Sequence, residues 1–264
     1  MDLDRHVPRD SPIHAFDPRL KLVFVVAGIV GIALLPMGAY AVYAAIWVVL
    51  VTLSAVARLG AWRLVRGSVI VLPFALVALP LIFTRPGDPV FVIDVGPFQL
   101  TATREGLRDA TSIVVKSWLS VQAALLLAYT TPFPTLLASL RALRLPALLV
   151  SIIGFMYRYL AVIGDEAARL DRARSARAVG KGIGGIAGLR WRARVAGGMV
   201  GSLFIRSYER SERVHAAMLS RGFTGTPPAM AMARPSTGQL FAFALGLAGI
   251  AIVVLGASAW GPRW

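Results

Sequence analysis

The sequence predicts an all-α polytopic membrane protein, and three observations carry this prediction. Of the 264 residues, 57% are hydrophobic and only 16% are charged, whereas a soluble domain has about 25% charged residues. The mean hydropathy is +0.69. Long uncharged windows recur along the chain, and about 20 apolar residues are enough for a helix to cross a bilayer. These values argue against a water-soluble enzyme.

The charge and the cysteine content narrow the class further. The net charge is +15 and the isoelectric point is near 11.4, with 25 Arg among the 28 basic residues. Basic cytoplasmic loops explain this charge, and the sequence shows no aromatic-interleaved basic platform of the kind that binds nucleic acid. The absence of Cys excludes disulfides and zinc–thiolate sites.

The first uncharged window predicts a helical hairpin. Residues 22–57 carry no charge over 36 positions, which is too long for one spanning helix. Pro36-Met37-Gly38 lies near the middle of this window and supplies a helix breaker followed by a flexible residue. We therefore expect two somewhat short helices, at 21–36 and 39–57.

Three further spans are predicted downstream. Two prolines in the window 67–84 predict kinks, which neighbouring helices can accommodate in lipid. The fourth window begins at residue 117, crosses as far as Tyr129 and breaks at Thr131-Pro132. With the final window, at 235–262, the total is about five membrane helices, and four or six remain open.

Loop charge predicts the orientation and the domains. The loop that holds Arg58, Arg63 and Arg66 is basic, whereas the loop at 85–109 carries three Arg and four acidic residues. Because basic loops stay in the cytoplasm, we expect a cytoplasmic N-terminus. The predicted domains are a four-helix membrane domain, a cytoplasmic domain and a C-terminal membrane helix, at 1–140, 141–234 and 235–264.

The segment before the last helix is strongly basic. Residues 165–221 hold 12 basic and 5 acidic side chains. The apolar stretches 145–157 and 195–205 are too short to cross a bilayer comfortably. We therefore expect a cytoplasmic, partly membrane-embedded helical domain. Its two predicted helices lie at 165–177 and 195–220, and a glycine-rich linker at 180–188 joins them.

Both predicted helices of this domain end in a triplet centred on Arg. Ala176-Arg177-Ala178 ends the first helix and Ser220-Arg221-Gly222 the second, and Gly is favourable just after a helix. Two basic helix ends that face anionic lipid explain this pattern. Two exposed Arg that dock into acidic pockets of a partner also explain it, because a planar guanidinium can bind a carboxylate through two hydrogen bonds.

Three separated segments carry a resemblance to one family. They are residues 11–22, the Tyr157-Arg158-Tyr159-Leu160 motif with Asp165-Glu166 and the Arg174–Arg177 run, and residues 204–214 leading into Ala217-Met218 and Arg221-Gly222-Phe223. Together they resemble the transmembrane T component of energy-coupling-factor (ECF) transporters, in the cobalt/nickel branch known as the CbiQ family. The resemblance covers essentially the whole chain.

The resemblance implies a non-catalytic scaffold in the cytoplasmic membrane of a bacterium or an archaeon. It implies three partners: two cytoplasmic ATP-binding-cassette ATPase subunits, which hold the ATP, and a separate substrate-capture membrane subunit. No cofactor or metal is assigned to this chain itself. The implied coupling residues are Arg177 and Arg221, with Arg174 as a rival for the first position, and their triplet neighbours Ala176, Ala178, Ser220 and Gly222. The sequence departs from the family at Ala178, where Gly is frequent.

Several alternatives stay open. Within the same class, a vitamin-type importer shares the coupling triplets, and cobalt cannot be told from nickel. A stand-alone transporter would need ionisable residues within the membrane. Only Lys116 and Arg158 approach the bilayer in the predicted arrangement. A membrane enzyme would need convergent carboxylates, and the clustered acids lie in one predicted outer loop, at Asp88, Asp94, Glu105 and Asp109.

His14 and Asp17 flank the predicted start of the first membrane helix. The pair could in principle bind a metal ion. Capping, for which Asp is well suited, or interfacial contacts are the more frequent role for such a pair at the entry to a helix. We therefore expect Asp17 to fix the start of this helix and His14 to make structural contacts.

Overall fold

The computed structural model of the chain describes residues 6–95, 98–177, 185–225 and 234–260, and almost all of its regular structure is helical. The chain divides into two compact units. Among the described residues, one contains 6–139 together with 234–260, and the other contains 140–225. The all-α polytopic fold class predicted from the sequence is confirmed.

The N-terminal segment packs against the membrane helices through a set of caps. Ser11 caps the short helix α1 (Pro12–Ala15), and the Asp17 carboxylate accepts a hydrogen bond from the Arg19 backbone N–H at 2.8 Å to start α2 (Pro18–Leu34). His14 uses both ring nitrogens, with Nδ1 2.7 Å from the Ser11 hydroxyl and Nε2 3.1 Å from the Val7 carbonyl. The structural roles predicted for Asp17 and His14 are confirmed.

The predicted helical hairpin is present. Helix α2 ends at Leu34 and α3 spans Tyr40–Val56, so the break falls at Pro36-Met37-Gly38 as expected. The Tyr43 hydroxyl donates a hydrogen bond to the Pro36 carbonyl at 2.6 Å, which holds the turn against α3. Each helix has 17 residues and is about 26 Å long, somewhat short of a bilayer core of about 30 Å.

The third predicted span is a series of short, bent helical pieces. Helix α4 (Ala61–Gly67) continues through a 3-10 turn at Ser68–Val71 into α5 (Leu72–Ala78), and α6 follows at Leu81–Thr84. The two halves of this segment are bent by 53°. Kinks were expected here because Pro73 and Pro80 each lack a backbone N–H for the helix ladder.

The region between the third and fourth spans differs from the prediction. A two-stranded antiparallel hairpin, β1 (Pro89–Val95) and β2 (Phe98–Thr103), occupies most of the expected loop. Helix α7 then runs over Arg104–Thr130, so the predicted start at residue 117 was wrong by about three and a half turns. The charges that suggested a loop are accommodated within α7: Asp109 forms an ion pair with Arg85 at 3.1 Å.

Helix α7 lies at the centre of the first unit and contacts α2, α3, α4, α5 and α6. Leu119 of α7 is fully buried, and Leu64 of α4 is nearly so. The predicted break after Tyr129 is present, because α7 ends at Thr130 and Pro132 precedes α8 (Phe133–Ala142).

Two buried lysines join α2 and α7 reciprocally. The ammonium group of Lys21, on α2, donates to the carbonyl of Thr130 at the end of α7 at 3.4 Å. The ammonium group of Lys116, on α7, donates to the carbonyls of Ala33 and Leu35 at the end of α2. The lysines are 8% exposed. Each therefore supplies donors to helix carbonyls that have no intrahelical partner.

The second unit consists mainly of two long helices, α9 (Ala147–Arg177) and α10 (Gly185–Leu219). The prediction that the apolar stretch from residue 145 is too short to cross was wrong, because α9 has 31 residues and its apolar part is long enough to span a bilayer. Arg158 does not interrupt the helix, since an Arg side chain can extend its charge away from an apolar surface.

Helix α10 also begins earlier than expected. The start predicted at Val195 was wrong, because Gly185 is already helical. The predicted linker therefore shortens from its C-terminal side, and residues 180–184 of that prediction lie outside the described residues. The C-terminal helix α11 (Thr237–Trp260) agrees with the predicted final span.

Helix α11 packs closely on α2 through small residues. A Cβ atom built at Gly31 would lie 2.9 Å from a methyl group of Ile250, and one at Gly246 would lie 2.6 Å from the Phe24 ring. Small residues allow such close approach between membrane helices. Among the described residues, α7, α9 and α11 are long and apolar enough to cross a membrane, and the bent pair of α4 to α6 is a fourth candidate.

Replacing Lys116 tests the reciprocal capping. We expect Lys116→Met to destabilise the membrane unit by about 1–3 kcal/mol, because buried carbonyls at the end of α2 lose their donor. Unfolding of the detergent-solubilised chain by denaturant, followed by tryptophan fluorescence, measures this loss. Arg63→Met removes an exposed charge and serves as the control. Equal midpoints for the two variants would contradict the capping role.

The environment of His14 predicts a pH dependence. Burial lowers the pKa of His14 below 6.5, with Lys21 and His6 contributing in the same direction, while the bond to Val7 and the Asp10 charge oppose this. A lowered folded-state pKa means that the unfolded chain binds more protons, so stability is present above about pH 6.5 and is lost as the pH falls.

We therefore expect the backbone amides of residues 7 and 13–16 to lose protection against hydrogen exchange between pH 7.5 and 5.5, after correction for intrinsic rates. His14→Gln should abolish this dependence on pH, whereas His6→Gln should retain it. Unchanged protection of the native chain across this range would refute the assignment to His14.

Candidate functional site

The candidate site consists of the C-terminal ends of α9 and α10, where the two predicted triplets lie. Ala176 and Arg177 occupy the last helical positions of α9, and Ala178 lies outside the described residues. Arg174 forms an ion pair with Asp171 one turn back in the same helix, at 3.0 Å. The rival candidate for the first triplet therefore has a partner within its own helix.

The end of α10 has a defined cap that holds Arg221 in place. The Phe223 N–H donates to the Met218 carbonyl at 3.0 Å, and the Gly222 N–H donates to the Leu219 carbonyl at 3.0 Å. These are the two bonds of a Schellman motif, with Gly222 in the left-handed conformation at φ = 79°. The prediction that Gly222 ends this helix is confirmed.

Ser220 and Arg221 occupy the turn that this cap creates. The Ser220 hydroxyl donates to the Ala217 carbonyl at 3.0 Å, and Arg221 is exposed. A cationic side chain at this end of a helix is favoured by the helix dipole. The arrangement presents one guanidinium group at the tip of a 35-residue helix.

An ion-pair cluster joins the two helices away from their tips. The Glu166 carboxylate accepts from Arg206 through Oε1 at 2.9 Å and from Arg169 through Oε2. Arg169 lies on the same helix as Glu166, whereas Arg206 lies on α10, 40 residues further along the chain. Spacing within one helix predicts a pair between Arg169 and Asp165, and the structure pairs Arg169 with Glu166. No sequence signal indicated the contact between the helices.

Both helices carry large apolar side chains on their surfaces. On α9 one group of these residues recurs at helical spacing, and on α10 another group lies near the middle of the helix. Their exposed fractions range from 37% to 71%. They are Leu149, Ile152, Met156, Leu160 and Ile163 on α9, and Val200, Phe204, Ile205 and Tyr208 on α10. In a membrane-associated chain, such surfaces face lipid or an apolar partner.

Two of the four acidic residues considered for metal or base chemistry have side chains with structural contacts. The Glu105 carboxylate accepts from the Asp88 backbone N–H at 3.0 Å, and Asp109 pairs with Arg85. Within the described part of the chain, no three His, Asp or Glu side chains could hold a metal ion together. Lys116, considered as an intramembrane transport residue, binds the carbonyls of α2.

Comparison with known proteins identifies the chain. A family model described as "Cobalt transport protein", CbiQ, matches residues 9–232. The cobalt transport protein CbiQ of Rhodobacter capsulatus is 30% identical over 57% of this chain and 59% of its own length. The ECF transporter transmembrane protein EcfT of Leuconostoc gelidum is 29% identical over 84% of this chain and 83% of its own length.

A nickel protein is also similar over a shorter stretch. The nickel permease LarQ of Lactiplantibacillus plantarum is 34% identical over 36% of this chain and 33% of its own length. The matches to the first curated relatives span between 50% and 59% of the length of those relatives. The helical fold with its membrane-capable helices defines an integral membrane protein. The chain belongs to the CbiQ family.

Gly222 provides a test of the helix cap. We expect Gly222→Ala to destabilise the end of α10 by about 1–2 kcal/mol, because an L side chain is strained in the left-handed region. The same change at Gly201, where an added Cβ meets nothing within 4 Å, should instead stabilise α10 by about 0.5–1 kcal/mol.

Hydrogen exchange of the amides of residues 222 and 223 measures fraying of this cap. Faster exchange in Gly222→Ala and unchanged exchange in Gly201→Ala are the expected results. Identical exchange at these two amides in both variants would show that the cap does not depend on glycine.

Proposed function

We propose that the chain is the energy-coupling membrane subunit of an ECF-type importer for cobalt or nickel ions. In this function, ATP binding closes two cytoplasmic ATPase subunits, and the chain transmits their displacement to a separate substrate-capture membrane subunit. Membership of the CbiQ family and similarity to proteins named CbiQ, EcfT and LarQ support the proposal. The observation that carries it is the exposed Arg221 on the fixed cap of α10.

The coupling residues follow from this proposal. Arg177 and Arg221 would dock into acidic grooves of the two ATPase subunits, with Ala176, Ala178, Ser220 and Gly222 forming the small surroundings of each guanidinium. Arg174 is the rival for the first position, and its guanidinium group would have to leave Asp171 in order to dock. ATP would be held by the ATPase subunits, and this chain would hold no cofactor.

The charge distribution supports a cytoplasmic position for the ends of α9 and α10. Residues 165–221 carry a net charge of +7, from 12 basic and 5 acidic side chains, and basic segments remain on the cytoplasmic side. The N-terminus would lie on the same side of a bacterial or archaeal cytoplasmic membrane. With α7 passing inward, α9 would then lie along the membrane rather than cross it, although its length would allow crossing.

A vitamin-type importer is the second candidate. Relatives named EcfT, whose names give energy coupling and no metal, align over 84% to 85% of this chain, more than the 57% aligned with the CbiQ of Rhodobacter capsulatus. The substrate would be selected by the capture subunit in either case. Uptake of radioactive cobalt, nickel and a panel of vitamins by the assembled transporter distinguishes the two candidates.

Charge reversal at the coupling residues tests the function. The chain is co-expressed with its candidate ATPase and capture subunits and purified through a tag on the chain. We expect Arg177→Glu and Arg221→Glu to lose the ATPase subunits, because an unpaired buried acid costs about 2–5 kcal/mol, at least a ~30-fold loss of affinity.

Arg172→Glu and Arg194→Glu are the matched controls. They make the same charge change at exposed positions on the same two helices. Both should retain the ATPase subunits. Retention in all four variants would indicate that the two triplets are lipid-facing helix ends, and the proposed coupling role would be rejected.

A further inference from the structure

We propose that Glu166 is a positioning residue for coupling, and that its ion pair with Arg206 sets the angle between α9 and α10. This inference deepens the proposed function and rests on it. The Glu166–Arg206 pair joins positions 40 residues apart in the chain, so it constrains tertiary arrangement rather than local helix structure.

The cluster is built so that one carboxylate serves two cations. Each oxygen of Glu166 accepts from a different guanidinium group, and the Glu166 side chain is 18% exposed against 57% for Arg206 and 60% for Arg169. Arg169 lies one turn from Glu166 on the same helix, so it holds the carboxylate in place. Arg206 then binds an acceptor whose rotation is already restricted.

The strength of the cluster indicates a geometric role. Ion pairs between partly exposed side chains contribute little to the stability of a fold. The pair is therefore too weak to be what holds two helices of 31 and 35 residues together. A weak, directional contact between long helices is well suited to selecting one crossing angle among several that apolar packing would allow.

The position of the cluster along the helices amplifies its effect. Arg177 lies 11 residues beyond Glu166, about 16 Å along α9, and Arg221 lies 15 residues beyond Arg206, about 22 Å along α10. A pivot of about 10° at the cluster would displace tips at such distances by about 3–4 Å. That displacement exceeds the tolerance of a charged hydrogen bond.

Simultaneous docking of both tips requires a fixed separation between them. Binding through two linked contacts gains affinity only when the geometry allows both to form together. The Glu166–Arg206 pair would supply this geometry before the ATPase subunits bind. Loss of the pair should therefore leave Arg177 and Arg221 intact but impair their simultaneous docking.

The test exchanges the charges of Glu166 and Arg206. It measures the distance between the two helix ends and the transport per ATP hydrolysed. The chain contains no Cys, so Ala173→Cys with Ala217→Cys, both at exposed positions, places two unique spin labels near the tips. Pulsed electron paramagnetic resonance on the full chain in nanodiscs gives their distance distribution. We compare the native charges with Glu166→Arg, Arg206→Glu and the double swap, and use Arg210→Glu as the control.

We expect a narrow distribution with the native charges, a broad or shifted one in each single reversal, and a narrow one again in the double swap. In the assembled transporter, transport per ATP hydrolysed should fall at least about threefold in each single variant and recover in the double swap. Arg210→Glu should resemble the native chain in both measurements.

The outcomes separate this inference from the proposed function. A distance distribution unchanged in the single variants, or a double swap that fails to recover, overturns the positioning role. The distances are measured without partner subunits, so they test the positioning role of Glu166 even if the native chain binds no ATPase subunits. That latter result would reject the proposed function instead, and with it the coupling role of Glu166.

Discussion

The reciprocal contact between α2 and α7 is the constraint on which the membrane unit depends. Lys21 near the start of α2 reaches the end of α7, and Lys116 on α7 reaches the end of α2, so the helices run antiparallel with a fixed register. An apolar interface alone specifies register weakly, because hydrophobic contact is not directional. A buried ammonium group does specify it, since misalignment would leave a charge without acceptors. The N-terminal segment uses the same helix end, where the Val7 N–H donates to the Tyr129 carbonyl at 3.0 Å.

Features with a local cause could be predicted from the sequence. Pro36 marked the hairpin turn, Pro132 marked the end of α7, and Gly222 marked the end of α10, because each residue acts on its own backbone. The start of α7 could not be located in this way. Its first three turns are rich in charge, and Arg85, which lies outside the helix, accommodates Asp109. A charge-free window therefore locates the uncharged part of a helix. The helix itself can begin several turns earlier, as α7 does.

The residues of the candidate site could be predicted from the sequence, but the contact between its two helices could not. The two Arg triplets are visible in the sequence because they end predicted helices. The Glu166–Arg206 contact is not, because an acid with basic residues 3 and 40 positions away has many possible partners. Intrahelical spacing favours Arg169, and only the tertiary structure adds Arg206. The length of α9 was also missed, since Arg158 divides the apolar residues without interrupting the helix.

The cap of α10 explains why an Arg at a helix end can transmit force. Docking of a long side chain costs about 0.5–1.5 kcal/mol in lost side-chain entropy. On a frayed helix end, ordering of the backbone would add to this cost. The Schellman bonds to Met218 and Leu219 fix the backbone around Arg221 before any partner binds. In the proposed complex, the remaining entropy cost would fall on the Arg221 side chain, and a displacement of its guanidinium group would pass directly to a hydrogen-bonded helix. Gly222 would thus contribute to coupling through the backbone turn that it permits, because this turn keeps Arg221 attached to a rigid element.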